Sequence, residues 1–209
     1  KAMVQIESEL DSKLDELFDY FDNVPLASAS IAQVHKAITK DGDIVAVKVQ
    51  RPNIHNVIET DINILLDLAK LLEKRIPESR LYNPVGIVNE FAKTIRQELD
   101  FVREARNMDK FKRNFEKDET IYVPNVYWDL TTSEVLTMEY IDGIKLKNLE
   151  RIEKAGLDKK TIAINGAKAI LKQVFEYGFF HADPHPGNIF VLENNVIVPI
   201  DYGMMGRLD

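Results

Sequence analysis

The sequence predicts an α+β fold, in which antiparallel hairpins are combined with several long helices. Two short strands flank the dipeptide Asp41-Gly42, which is a strong hairpin signal. A second strand pair flanks the turn at residues 193–195. Elsewhere, apolar residues recur at the spacing of one helix face over several long stretches. Separate hairpins and helices, without strict strand–helix alternation, are typical of an α+β fold.

Composition limits the function classes. The 209 residues, 45% of them hydrophobic, suit one domain or one domain in two lobes. The net charge of −7 gives no basic field, so we expect no nucleic-acid partner. The absence of cysteine excludes disulfides and zinc–thiolate sites and fits a reducing cytoplasm. No apolar run approaches the roughly 18 residues of a membrane span.

The chain is interpreted as three parts. Residues 1–23 are predicted to form an N-terminal helical extension, because five apolar residues of the stretch 2–21 follow one helix face: Leu10, Leu14, Leu17, Phe18 and Phe21. Residues 24–141 are predicted to form the first lobe, with inserted helices. Residues 142–209 are predicted to form part of the second lobe.

The strand Ile44–Gln50 carries a lysine in a recognisable setting. By the two-residue strand period, Ala46 and Lys48 share one face. Protein kinases place the alanine and lysine of a V-A-I-K strand against the nucleotide, and the run from Val45 to Lys48 fits that pattern. A lone strand lysine is more often an edge residue that reaches to solvent. Its alanine neighbour and the preceding hairpin favour the nucleotide interpretation.

A phosphate loop should precede that strand. The kinase pattern is G-x-G-x-x-G-x-V, and the segment from Ala27 to Val34 keeps its register with alanine at each glycine position: Ala27, Ala29 and Ala32. Alanine resists positive φ and its methyl group limits the approach of phosphates. We therefore interpret this segment, which we call the alanine loop, as an altered phosphate loop.

Two long helices follow. The first is predicted over Asn53–Arg75, and the second from Asn83 towards Phe115 without interruption. The second contains three acids, Glu98, Asp100 and Glu104, one of which should pair with Lys48. A solvated charged face is the alternative.

A further strand pair is predicted at Val123–Trp128 and Val135–Tyr140. In a kinase, the end of the second strand is the hinge that binds adenine through its backbone. Met138 would then limit the pocket, and Glu139 to Ile141 would form the hinge. This assignment rests on the order of the elements alone. A helix at Asp158–Tyr177 and a hairpin of Ile189–Leu192 with Val196–Ile200 complete the pattern.

The segment from His181 to Asn188 reads His-Ala-Asp-Pro-His-Pro-Gly-Asn, and Asp201-Tyr202-Gly203 follows the second hairpin. Asp183 and Asn188 keep the D-x-x-x-x-N spacing of a kinase catalytic loop, and Asp201 stands where D-F-G has its metal ligand. Ordinary turn chemistry is one alternative. Another is a hydrolytic metal site on His181, Asp183 and His185, which would need further ligands.

These stretches, with Pro25–His35 and Gln97–Asn107, closely resemble the UbiB/ABC1/ADCK group of atypical kinase-like proteins. The resemblance runs from about Leu17 to the last residue. It implies a protein-kinase-like fold in two lobes, with an antiparallel sheet in the first lobe and mostly helices in the second. It also implies binding of ATP or ADP with Mg²⁺ and a role in ubiquinone or other isoprenoid-lipid metabolism. We therefore expect nucleotide, isoprenoid-quinone precursors and a membrane surface as partners. The expected location is cytoplasmic, with membrane association of the full-length protein.

The resemblance also implies residue roles. Lys48, Glu104 and Asp183 would be catalytic, and Asn188 and Asp201 would hold the metal. Glu98 and Asp100 would be the Glu-x-Asp acids of the family. The nucleotide would contact residues from the loop, the lysine strand and the hinge: Ala27, Ser28, Ala29, Ser30, Ala32, Val34, Ala46, Lys48, Met138, Glu139 and Ile141.

Two features of the family are missing from the sequence, namely a Lys-x-Gly-Gln segment before the alanine loop and the helices after residue 209. We therefore expect a fragment, with quinone and membrane contacts made through the missing regions. A small-molecule kinase of the aminoglycoside/choline type would share the H-x-D-x-H-P-x-N form but lack the alanine loop and the Glu-x-Asp helix. A nucleotide-binding scaffold without turnover is the third hypothesis, because alanine weakens phosphate cradling.

Overall fold

The computed structural model describes residues 1–208, and its first lobe is built on an antiparallel sheet. The strand order is β1-β3-β4-β5, with the short β2 paired to β3. The five strands are β1 (Phe18–Phe21), β2 (Ala27–Ser28), β3 (Ala32–Thr39), β4 (Ile44–Gln50) and β5 (Val135–Glu139). The predicted hairpin joins β3 to β4, and Gly42 takes the positive φ of 89° that its turn requires.

The prediction of one helix over residues 2–21 is wrong. The segment forms α1 (Ala2–Leu10), α2 (Leu14–Leu17) and then β1. Asp11 ends α1 in the left-handed region, with φ of 47°. The aromatic residues that follow have high strand propensity and pair with the edge of β3. The N-terminal segment therefore contributes a strand to the sheet as well as helices.

Both faces of the central strand β4 are buried, which explains its nearly continuous apolar sequence. Val45, Val47 and Val49 pack with Ile6 of α1 on one face. Ala46 on the other face belongs to the cluster of the helix after residue 100. The sheet thus separates a small N-terminal core from the main core, and Lys48 projects on the main-core side.

The predicted long helix from Asn83 to Phe115 is also wrong in its continuity. After α3 (Ile54–Arg75) and a 3₁₀ turn (Pro77–Tyr82), α4 (Pro84–Glu98) ends and α5 (Phe101–Asn114) begins. Asp100 is extended and accepts a 3.2 Å hydrogen bond from the Arg103 amide, so it caps α5 instead of lying within a helix. The break redirects the chain from a projecting hairpin into the core.

The predicted strand Val123–Trp128 does not form as a regular strand. Val126 makes a single bridge to Met138 of β5, and a 3₁₀ turn (Trp128–Leu130) follows. Pro124 has no N–H to donate, which disfavours a regular ladder here.

The second lobe contains two helices and two small sheets. The β6-β8-β9 sheet lies beside the 3₁₀ turn Pro186–Asn188, and β7 pairs with β10. Its elements are β6 (Ile144–Lys145), α6 (Leu149–Lys154), α7 (Lys159–Phe175), β7 (Phe179–His181), β8 (Ile189–Val191), β9 (Ile197–Pro199) and β10 (Met205–Arg207). The pairs β7–β10 and β8–β9 bring residues 181–188 and 201–203 together. Among residues 1–208, no helix combines the length and the hydropathy needed to cross a bilayer.

Candidate active site

The lysine of β4 and an acid of α5 form a buried ion pair. Lys48 Nζ lies 2.9 Å from Glu104 Oε1 and 2.8 Å from Oε2. The Glu104 side chain is 2% exposed, and the Lys48 ammonium also lies 4.9 Å from the centre of the Phe101 ring. Of the three acids that sequence reasoning considered, Glu104 is the one in contact with Lys48.

The same helix holds the segment Asp201-Tyr202-Gly203. Glu104 Oε1 accepts a 3.4 Å hydrogen bond from the Tyr202 amide, and Asn107 Nδ2 donates to the Tyr202 carbonyl at 3.0 Å. The Tyr202 ring is fully buried, lies edge-on to Phe111, and donates its hydroxyl to the Pro199 carbonyl. Burial also raises the pKa of Tyr202 well above its ordinary value. Tyr202 therefore anchors this segment to the core.

The segment 181–188 is organised by its own side chains. His181 Nδ1 accepts the Asp183 amide at 3.1 Å, and the His181 amide donates to Gln173 Oε1 of α7 at 2.8 Å. His185 Nδ1 accepts the Gly187 amide at 3.0 Å. Because both histidines use Nδ1 within the loop, they shape the turn around Asp183.

Asn188 and Asp201 meet, as their motif spacing suggested. Asn188 Nδ2 donates to Asp201 Oδ2 at 3.2 Å, and the Gly203 amide donates to Asp201 Oδ1 at 3.2 Å. Within residues 1–208, no group of three or more His, Cys, Asp or Glu side chains could hold a metal. This finding does not support the hydrolytic metal site. Asp201 and Asn188 fit Mg²⁺, which usually binds one or two protein oxygens together with substrate phosphates and water.

We call the space between these groups the site cavity. It measures about 180 Å³ and is lined by residues of the alanine loop, β4, α4, α5 and the two second-lobe segments at 181–188 and 201–204: Ala29, Ser30, Ile31, Ala32, Lys48, Glu98, Glu104, His181, Asp183, Asp201, Gly203 and Met204. Small-molecule sites usually measure about 300–1,000 Å³. The site cavity alone is therefore smaller than a typical small-molecule site.

Four carboxyl groups surround one ammonium group in the site cavity. Burial lowers the pKa of Lys48, but Glu104 and Asp201 outweigh it, so this pKa lies above its ordinary value. Burial raises the pKa of Glu104, and the negative charge of Asp201 raises it further. The positive charge of Lys48 lowers this pKa, but the net shift is upward. Burial and the charge of Asp201 likewise raise the pKa of Glu98. The excess of negative charge suits a divalent cation.

The alanine loop is closed by contacts within the first lobe. Arg51 donates to the Ala29 carbonyl through Nε at 3.1 Å and Nη2 at 3.0 Å, and Nη2 also lies 3.3 Å from Ser28 Oγ. The Ala29 amide donates to the Ala32 carbonyl at 2.8 Å. Ala32 is 1% exposed and packs in the main core, whereas Ala27 and Ala29 are exposed. Ala32 is therefore a core residue, whereas Ala27 and Ala29 are surface residues of the loop.

The predicted hinge begins at Glu139, the last residue of β5. The Glu139 amide donates to the Asn125 carbonyl at 2.8 Å, and the Tyr140 amide donates to the Ile44 carbonyl at 3.1 Å. The Ile141 amide has no acceptor within residues 1–208. The Glu139 carboxylate accepts the Tyr122 hydroxyl at 2.7 Å.

The structure does not bring every predicted residue to the site cavity. Met138 and Ala46 face each other across β4 and β5 and are almost fully buried. Seven other predicted residues do not line the site cavity: Ala27, Ser28, Val34, Asp100, Glu139, Ile141 and Asn188. Asn188 is hydrogen-bonded to Asp201, which does line the cavity.

Sequence reasoning missed the roles of Asn107 and Arg51. Asn107 lies three residues after Glu104, so the shared helix face was a usable signal. Arg51 directly follows β4, and no sequence motif indicated that it would contact the alanine loop.

A larger apolar cavity of about 460 Å³ lies below the 181–188 segment, between α7 and β9. Its walls are mainly aliphatic and contain no carboxyl group among residues 1–208. The carboxyl groups described above therefore line the smaller site cavity and not this one.

Comparison with known proteins gives consistent results. The sequence matches the ABC1 atypical kinase-like domain over residues 1–209. A protein of Aliivibrio fischeri strain MJ11 named "Probable protein kinase UbiB" is 45% identical over 213 residues, which cover 100% of this chain and 39% of the relative. A protein of the same name from Pseudomonas aeruginosa strain UCBPP-PA14 is 45% identical over 99% of this chain and 40% of its own length. The chain thus spans well under half of these relatives.

A solved structure of Rv3197 from Mycobacterium tuberculosis, in complex with erythromycin, shares the fold. Its TM-score is 0.83 at 28% identity, and the match covers 99% of this chain and 51% of that chain. The likeness confirms the predicted kinase-like α+β fold.

Proposed function

Since the chain belongs to the ABC1 atypical kinase-like family, we propose that it binds a Mg²⁺–nucleotide and uses ATP in phosphoryl transfer. One observation carries the proposal. The Lys48–Glu104 pair, at 2.8 Å, lines the same cavity as Asp183 and Asp201. Phosphoryl transfer needs a lysine held in place by an acid, and separate acids for the metal and the acceptor. The half-buried Lys48 with Glu104, and Asp201 and Asp183, are such a set.

Each group has a proposed task. Lys48, fixed by Glu104, binds the phosphates of the nucleotide. Asp201 and Asn188 hold Mg²⁺, which neutralises charge on the phosphates when bound. Asp183 orients the acceptor hydroxyl, or water, and takes its proton as the acceptor oxygen bonds to the γ-phosphorus and ADP leaves. Ile141 offers its amide to the base of the nucleotide.

The proposed biological role is support of ubiquinone or related isoprenoid-lipid biosynthesis. It rests on the family resemblance and on the UbiB name of the relatives. The two parts of the proposed function, chemistry and biological role, are therefore tested separately.

A scaffold without turnover is the second candidate, and the closed alanine loop favours it. Arg51 and Ala32 hold the Ala29 carbonyl and amide, which leaves fewer loop groups for phosphates. Both candidates predict Mg²⁺-dependent nucleotide binding, but only the enzyme predicts ATP hydrolysis or phosphoryl transfer.

The test measures thermal shifts with ATP and ADP, with and without Mg²⁺, followed by ATP hydrolysis. Asp183→Asn should keep the Mg²⁺-dependent shift and lose hydrolysis. Equal hydrolysis by both proteins would assign turnover to a contaminant or another site. A Mg²⁺-dependent shift without hydrolysis in the unmodified chain would support the scaffold. Stimulation by quinone-precursor mimics, compared with choline and an aminoglycoside, tests the acceptor class.

A further inference from the structure

The side chain of Gln50 is a buried amide on the same face of β4 as Lys48. Gln50 is the last residue of β4 and lies two positions after Lys48, so the strand period places both side chains on one face. Gln50 is 1% exposed, and its Oε1 atom is buried without a hydrogen-bond partner among residues 1–208. Burying an unpaired polar atom costs free energy. An apolar side chain of similar size would avoid that cost, so the retained amide indicates a specific task for its Nε2 group.

The Gln50 amide joins the two sides of the break between α4 and α5. Nε2 donates to the Leu99 carbonyl at 2.5 Å and to the Ser133 carbonyl at 3.2 Å. The Ser133 carbonyl also accepts the Phe101 amide at 3.0 Å. The last carbonyls and the first amides of a helix have no partner within that helix, so the break at Asp100 exposes groups that need one. We call these three hydrogen bonds the Gln50 brace.

The turn that carries Ser133 is itself held in place. The Gln50 backbone amide donates to the adjacent Glu134 carbonyl at 2.9 Å. The Thr132 hydroxyl donates to Glu9 of α1 at 2.8 Å. The Ser133 carbonyl therefore has a defined position, to which the Gln50 side chain connects the break.

The break determines where two acids of the site cavity lie. Glu98 is the last residue of α4, and Glu104 lies in the first turn of α5. Both line the site cavity together with Lys48. Because Gln50 belongs to the strand that carries Lys48, the brace fixes both helix ends relative to that lysine.

We propose that Gln50 is a positioning residue, which holds Glu98 and Glu104 in place around Lys48 through the Gln50 brace. Its amide bonds backbone carbonyls and no reacting group, so it acts through the two acids. Without the amide, the Leu99 and Ser133 carbonyls each lose a donor, and the facing ends of α4 and α5 become free to shift. The effect of Gln50 on catalysis rests on the proposed function, whereas its effect on the break does not.

Hydrogen exchange and nucleotide binding test the proposal in Gln50→Met, which keeps the approximate size of the side chain but cannot donate. Without nucleotide, the amides of Phe101 and Tyr202 should exchange roughly tenfold faster relative to the other protected amides. The first bonds the Ser133 carbonyl and the second bonds Glu104. The affinity for Mg²⁺–ATP and the kcat of hydrolysis should each fall by roughly tenfold or more, because small displacements of catalytic groups slow a reaction strongly. Gln50→Asn, whose amide is one methylene shorter, gives the same test if Gln50→Met does not fold.

Val47→Ala is the control for a general loss of stability. Val47 is fully buried on the opposite face of β4, where it packs in the small N-terminal core. This variant should lower the melting temperature while nucleotide affinity, hydrolysis and the relative exchange of the Phe101 and Tyr202 amides stay unchanged. Unchanged exchange in Gln50→Met, or losses of affinity and hydrolysis no larger than those of Val47→Ala, would overturn the proposal. If the unmodified chain neither binds nor hydrolyses nucleotide, the proposed function fails, and the exchange data alone decide whether Gln50 holds the break.

Discussion

Asn107 donates a 3.0 Å hydrogen bond to the Tyr202 carbonyl from the helix that also brings Glu104 to the Tyr202 amide. Both polar groups of one buried peptide segment are therefore held by α5. Glu104 holds Lys48 at the same time. Any displacement of α5 would disturb both Lys48 and the segment Asp201-Tyr202-Gly203, so this helix couples the two halves of the candidate site.

We expect Asn107→Ala to lower the free energy of unfolding by about 1–3 kcal/mol, because the buried Tyr202 carbonyl loses its partner. It should also weaken the Mg²⁺-dependent part of nucleotide binding, because Asp201 adjoins Tyr202. Urea denaturation and nucleotide titration measure the two effects. Asn89→Ala, exposed on α4, is the control and should change stability by less than about 0.5 kcal/mol. A neutral Asn107→Ala would show that α5 does not hold the segment.

Lys48 and Glu104 should be energetically coupled in nucleotide binding. We expect Lys48→Ala and Glu104→Ala to show an interaction energy of roughly 0.5–3 kcal/mol in a double-mutant cycle, the range for residues in contact. Glu98→Ala in place of Glu104→Ala provides the comparison, since Glu98 lines the cavity without bonding Lys48. Additive losses for Lys48 and Glu104, or stronger coupling to Glu98, would argue against the pair as the nucleotide clamp.

Asp201→Asn should abolish the Mg²⁺-dependent part of the nucleotide thermal shift, because it removes the carboxylate charge from the proposed metal site. The protein should stay folded, since Asp201 is only half-buried and an asparagine keeps one oxygen that can accept the Gly203 amide. Asn188 can then turn its own amide oxygen towards the new NH₂ group. Differential scanning fluorimetry with and without Mg²⁺ measures this. A full Mg²⁺ effect in the variant would place the metal elsewhere.

Local signals predicted much of the site from sequence. The Asp41-Gly42 hairpin, the strand period of Ala46 and Lys48, and the spacing of Asp183 and Asn188 each act within a few residues. Local patterns of this kind place strands well, which is why β3 and β4 form close to their predicted bounds.

The errors came from tertiary context. The apolar residues from Leu10 to Phe21 have helical spacing, but Phe18–Phe21 are more stable as a strand paired with β3 than as a further helical turn. The turn at Asp100 has no glycine or proline to mark it. It forms because Phe101 and Glu104 must enter the core while α4 projects from it. No sequence pattern indicated that Arg51 would hold the alanine loop.

Glu98 should give stability a specific pH dependence. Burial and Asp201 raise its pKa above the ordinary 4.5, so the folded state binds this proton more tightly than the unfolded state. Ionised Glu98 therefore lowers stability at neutral pH, and that cost disappears as the pH falls below about 4.5.

Glu98→Gln should accordingly raise the melting temperature near neutral pH, with a gain of roughly 1 kcal/mol or less because the group is partly exposed. Melting curves across the acidic range should show the gain vanish as the pH falls. Glu90→Gln, exposed on α4, should show no such trend. A loss of stability at neutral pH in Glu98→Gln would mean that Glu98 makes a favourable ionic contact instead.

The alanine loop offers the sharpest comparison, because its alanines lie in different surroundings. Ala29 is exposed beside the site cavity, whereas Ala32 is 1% exposed in the main core. Ala29→Gly should cost about 0.5–1 kcal/mol in stability, the usual entropic effect, and should let phosphates approach the backbone more closely. In Ala29→Gly the affinity for ATP should increase more than the affinity for ADP, because the γ-phosphate depends most on loop closure.

Ala32→Gly should lower the free energy of unfolding by roughly 1–2 kcal/mol through lost packing and entropy, without a gain in nucleotide affinity. Isothermal titration of both variants with ATP and ADP distinguishes the cases, and unchanged affinity in Ala29→Gly would leave the loop without a role in nucleotide binding.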